Sequence, residues 1–174
     1  MIKISKEQIV GLLQIQRNFD DRIETKNISD SMAAFFIEFV EWVNTVEFFK
    51  NWKQNKGKAR ELQLEELADM LAFGLSLMNQ VGDKTGYTEK QLSTLFVGLA
   101  KEQSDATFEL NSANFVMILS KLTNEVINGI DISVIVSLAY APFMFANTYY
   151  TVDELVEAYK KKMKVNHQRQ ESGY

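Results

Sequence analysis

Apolar and polar positions alternate nowhere in this chain with the two-residue period of a half-buried strand. Apolar side chains instead recur three and four residues apart, the period of helices that bury one face. The pattern predicts helices near 5–23, 30–53, 60–81, 88–103, 111–128, 132–147 and 151–168. Three of the starts are written as capping boxes: Ser5-Lys-Glu-Gln8, Thr88-Glu-Lys-Gln91 and Thr151-Val-Asp-Glu154. The one proline, Pro142, is expected to kink or divide the sixth helix. The segments "NKGK" and "GDKTGY" read as loops from their Gly and polar content. No linker, low-complexity tract or internal repeat interrupts the series, so the expectation is one all-α domain spanning 1–174.

The stripes on 111–128 and 132–147 are broad. They offer more apolar surface than a small bundle readily hides, which suggests core helices or a subunit interface, and a dimer is expected. With 174 residues, 46% hydrophobic and 24% charged, the chain can bury a sizeable core. The absence of cysteine excludes disulfides, thiolate chemistry and Cys-based zinc sites. No run of about 18 apolar residues is present, so no membrane span is expected. "MIKISKEQIV" lacks the apolar stretch of a signal peptide, which favours the cytoplasm.

A net charge of −4 argues against a nucleic-acid polymer as partner, yet the charge is uneven. Residues 159–174 hold five Lys/Arg and one Glu, net +4, which leaves −8 on the rest of the chain. A basic tail on an acidic body is either a solvated helix end or an anion-binding element.

Within the apolar run "FFIEFVEWVNT", Glu38 and Glu41 stand three residues apart. On the next helix Glu66 and Asp69 repeat that spacing. Residues three apart share a helix face, with Cβ atoms roughly 5–6 Å from one another. Two antiparallel neighbours can therefore aim four carboxylates at one point. The repulsion is relieved by divalent cations, and hard oxygen ligands suit Mg²⁺ or Mn²⁺. Single pairs of this kind are usually solvated; two on adjacent apolar helices are more telling. A di-iron site would require Glu-x-x-His motifs, and His167 is the only histidine.

Two basic stretches accompany the acids. In "FFKNWKQNKGK", Lys50 and Lys53 flank Trp52, either as cations near a polyanionic ligand or as the lysine-rich end of a helix. In "AYKKKMKVNHQRQESGY", Tyr159, Lys162, Asn166, Arg169 and Gly173 recur at helical spacing, a poor core face and a good polyphosphate clamp.

Together these segments resemble the dimeric, all-α dUTP diphosphatases of Gram-positive bacteria and their phages, a group related to MazG-type nucleotide pyrophosphohydrolases. The resemblance rests on "LLQIQRNFDDRI" (12–23), "IEFVEWVNT" (37–45), "FKNWK" (49–53), "LEELADMLAFGLS" (64–76) and "AYKKKMKVNHQRQESGY" (158–174), in that order. Residues 83–150 contribute least. The resemblance implies a homodimer that hydrolyses dUTP, and dUDP, to dUMP with release of pyrophosphate or phosphate. It implies Glu38, Glu41, Glu66 and Asp69 as ligands of Mg²⁺, with Glu38 and Glu41 serving the activated water. Lys50, Trp52 and Lys53 match a stretch beside the substrate. Tyr159, Lys162, Asn166, Arg169 and Tyr174 match a tail, 159–174, that closes over the phosphates. Gln16 and Asp20 match first-helix positions near the nucleobase, where some relatives carry Asn in place of Asp20. Phe73 is a candidate stacking surface or an ordinary core residue.

One departure is plain. Where many relatives read D-G-L-H-F, this chain reads Asp69-Met-Leu-Ala72-Phe73, so the family histidine is replaced by Ala72. Selectivity for uracil must then come from elsewhere. A MazG-like hydrolase acting on dCTP or a modified nucleotide is the alternative within the same class. A non-enzymatic helical protein that binds a repressor is the alternative outside it.

Overall fold

The computed structural model describes residues 2–103, 108–128 and 131–172. Among the described residues there are seven helices and no strand: α1 (Lys6–Asp20), α2 (Ile28–Val46), α3 (Arg60–Thr85), α4 (Glu89–Glu102), α5 (Ser112–Asn128), α6 (Ile132–Tyr149) and α7 (Val152–Glu171). The starts follow local chemistry. Ser5 and Thr88 form reciprocal capping boxes with Gln8 and Gln91, and Thr151 accepts from the Glu154 amide. Asn27 and Asp131 cap α2 and α6 through their own side chains.

The ends of the second and third helices differ most from the sequence expectation. The second helix stops at Val46 instead of running to residue 53, because Glu47 takes the left-handed conformation (φ 59°) and turns the chain. Its buried carboxylate then accepts from Lys50 Nζ at 3.0 Å, Lys53 Nζ at 2.7 Å and the Gly57 amide at 3.1 Å. The third helix, by contrast, runs through most of "GDKTGY" to Thr85 and ends where Gly86 adopts φ 78°. Nor does Pro142 divide α6, which is continuous from Ile132 to Tyr149. Packing against α3, α4 and α7 offsets the lost hydrogen bond, a cost of about 3 kcal/mol in an unsupported helix.

The helix α3 is the hub and packs on α1, α2, α4, α6 and α7. It runs antiparallel to α2: Gln80 donates to Ser31 at 2.7 Å, Phe35 lies against Gly74, and Glu38 falls near Asp69. The α6 backbone approaches Gly74 closely, since a Cβ there would meet Ala139 Cα at 3.0 Å. An aromatic stack of Phe39, Trp42 and Phe145 fills the space between α2 and α6, with Trp42 and Phe145 centroids 4.5 Å apart. Phe115 of α5 packs on Phe39 and Phe48. By length and composition α6 is apolar enough to cross a membrane, but half of it is buried in this core.

Two links fix α1 to α3 and α4. Arg17 forks onto Asp83 (2.9 and 3.0 Å) and reaches Glu89 at 3.0 Å. Asn79, buried in α3, donates to the Leu13 carbonyl at 3.0 Å. Networks of this kind hold better than isolated surface pairs.

Candidate active site

Glu38 on the inward side of α2 faces Glu66 and Asp69 of α3. One carboxylate oxygen from each of Glu38, Glu66 and Asp69 lies within 4.8 Å of the others, an arrangement that could hold a metal ion. Glu41, the fourth expected ligand, is outside that group and exposed on the solvent side of α2. It remains close enough to act electrostatically on Glu38 and Glu66.

The cost of gathering these acids is visible in their proton affinities. Burial first, then the charges of Asp69, Glu41 and Glu66, push the Glu38 carboxyl up to about 7. Burial also raises Glu66 and Asp69. The Lys162 ammonium works against all three shifts, and it bonds directly to Asp69 at 2.5 Å. An all-oxygen set that is short of positive charge fits Mg²⁺ or Mn²⁺ in its donor chemistry.

The cluster borders a cavity of about 760 Å³ enclosed by α1, α2, α3, α7 and the 21–27 connection. Glu38, Asp69, Lys162 and Arg169 line its charged side. Gln16, Asp20, Phe73 and Asn166 line it as well, together with Ala72. Asp20 is raised from the usual carboxylate range, chiefly by burial, with Ser76 and Gln16 pulling the other way.

Other expected residues are placed elsewhere. Lys50 and Lys53 do not line the cavity, because Glu47 holds both ammonium groups. Their position draws Glu47 down to about 2. Trp52 projects from the same turn with 75% of its surface exposed. Tyr159 is fully buried behind the cavity wall, where its hydroxyl meets Gln16 and the Leu12 carbonyl. Gly173 and Tyr174 lie outside the described residues.

The cavity also has walls that sequence reasoning missed. Ser76 follows Asp69 and Phe73 at helical spacing, a signal that was available. Gln170 stood unremarked beside Arg169. Phe19 precedes Asp20 and packs edge-on to His167, with ring centroids 5.4 Å apart. Such an enclosure joins a cation-demanding, phosphate-compatible side to an apolar side with a few placed polar groups. No curated protein matches the chain. A family model described as dUTPase matches residues 8–174.

Proposed function

This chain belongs to the dUTPase family, and from that premise we propose that it converts dUTP, and dUDP, to dUMP by Mg²⁺-dependent hydrolysis at the cavity between α1, α2, α3 and α7. The observation that carries the reading is the meeting of Glu38, Glu66 and Asp69 beside that cavity. These three hold the cation, and Glu41 completes the set from the solvent side. A bound divalent ion supplies neutralisation of the triphosphate and a lowered pKa for attacking water.

The chain's own groups do the rest. Glu38, on the inner side of the cluster beside the cavity, would be the carboxylate that takes the proton from the attacking water. Lys162 and Arg169 hold the phosphates that depart, a positioning and electrostatic task with little covalent work for side chains. Gln16 and Asp20 read the polar edge of uracil, and Phe19 and Phe73 wall its faces. With Ala72 in place of the family histidine, base choice rests on α1. Ordering of the tail over the nucleotide keeps bulk water out.

We assign a homodimer as the working form. Ile37 and Val40 of α2, with Val116 and Met117 of α5, leave an exposed apolar surface that a second copy would cover.

Pyrophosphate release measured across dUTP, dCTP, dTTP and UTP, with and without Mg²⁺, tests the reading. Turnover of dUTP alone, dependent on Mg²⁺ and lost in Glu41→Gln with helical content intact, is the expected result. Equal turnover of dCTP would reject the uracil assignment, and full activity in Glu41→Gln would reject that ligand.

A further inference from the structure

Gln16 is 3% exposed, and both ends of its carboxamide are engaged. Nε2 donates to Asp20 Oδ1 at 2.7 Å, and Oε1 accepts from the Tyr159 hydroxyl at 3.1 Å. An ionised carboxylate can only accept, so the amide nitrogen must be the end that faces Asp20. The opposite sense would set Oε1 against a carboxylate oxygen, acceptor to acceptor. Tyr159 then secures the oxygen end from behind. It is fully buried, off the cavity, and burial pushes its phenol up, so it stays a neutral donor.

Two bonding capacities are left over at the cavity wall. Gln16 Nε2 has a second hydrogen. Asp20, 4% exposed, has an Oδ2 with no partner at hydrogen-bond distance among the described residues, and although the Ser76 hydroxyl acts on this carboxyl, a carboxylate oxygen keeps a further lone pair to accept with. Buried polar atoms are rarely left unpaired without a functional reason. A donor beside an acceptor is the complement of an imide edge, in which a ring carbonyl neighbours a ring N–H. Uracil offers that edge. Cytosine has a bare ring nitrogen in place of the N–H and an amino donor in place of the 4-carbonyl, so the Asp20 contact is mismatched on either edge and the Gln16 contact also on the 4-side.

We propose that Tyr159 is a positioning residue: it touches no substrate, and its hydroxyl holds the Gln16 amide so that Gln16 and Asp20 together present one donor and one acceptor to an imide edge. This rests on the dUTP reading above and adds to it the origin of base choice. It also accounts for a tyrosine with its hydroxyl pointed at a glutamine in an otherwise apolar stripe with Leu155 and Met163.

The test compares kcat and KM for dUTP and dCTP in the unaltered protein and in Tyr159→Phe, which keeps the ring and removes the hydroxyl. The expected result is a rise of about tenfold in KM for dUTP, the loss of about one hydrogen bond. The kcat should change little, and the dUTP-to-dCTP preference should shrink by the same factor. Equal losses on both substrates, with the preference kept, would overturn the positioning role. An unaltered protein that prefers neither base would overturn the dUTP reading itself, and this inference with it. Should Tyr159→Phe fail to fold, the side-chain amide protons of Gln16 in ¹⁵N-labelled unaltered protein decide. Widely split, slowly exchanging signals support the lock; averaged, fast-exchanging signals overturn it.

Discussion

The Lys162 ammonium of α7 lies 2.5 Å from Asp69 of α3, with only 17% and 15% of the two side chains exposed. A protein cation thus sits on one member of a three-carboxylate group. The pair joins the basic helix α7 to the acid cluster. Pairs shielded to this degree are screened less by salt than surface ones.

Replacing Lys162 by Met retains most of the stem and deletes the charge. The three acids lose the group that holds their proton affinities back, so Glu38 should titrate above its present value of about 7. Loss of a phosphate-side cation should lower kcat/KM for dUTP by on the order of 10²-fold. A pH–rate profile checks both: the acid limb should move to higher pH and the plateau should fall.

The raised Glu38 also sets a sign for stability. Its folded value of about 7 lies above the ordinary 4.5, so the folded protein binds the proton more tightly than the unfolded chain does. That contribution is complete below pH 4.5 and is lost as pH rises through about 7. The metal-free protein should therefore melt at a lower temperature at pH 8 than at pH 5.5, and Glu38→Gln should flatten the difference. Millimolar Mg²⁺ should restore the melting point, most strongly at the alkaline end, by binding only the folded state. Thermal scans at fixed ionic strength decide it.

Gly74 is a packing requirement of the α3–α6 crossing. A Cβ there meets Ala139 Cα at 3.0 Å, so Gly74→Val must push α6 away from the hub or distort α3. Overpacking of this kind costs about 1–3 kcal/mol. Urea denaturation should record the loss as a lower midpoint at unchanged slope.

Much of this was readable in advance, for definable reasons. The helix starts at Ser5, Thr88 and Thr151 depend on side chains within four residues, so the sequence carries them openly. The end of α2 depends on Glu47 in a conformation usual for Gly or Asn, stabilised by a Gly57 amide ten residues away. Nothing local marks it, so the sequence reads the lysines of "FKNWK" as the end of a helix. The i, i+3 spacing is legible for Glu38, Glu66 and Asp69, which the structure brings together, whereas spacing alone does not say that Glu41 stays exposed and outside the group. Tyr159 was in phase with Lys162, Asn166 and Arg169, but equally with Leu155 and Met163, four residues to either side, and that apolar phase claims it.

The Arg17 fork and the Asn79–Leu13 bond have a further consequence. The helix bearing Gln16 and Asp20 and the helix bearing Glu66 and Asp69 are riveted to each other, so the span from Gln16 to the acid cluster is fixed by the fold. On the proposed dUTP reading, a nucleotide bound there would meet two surfaces whose separation the fold has already set.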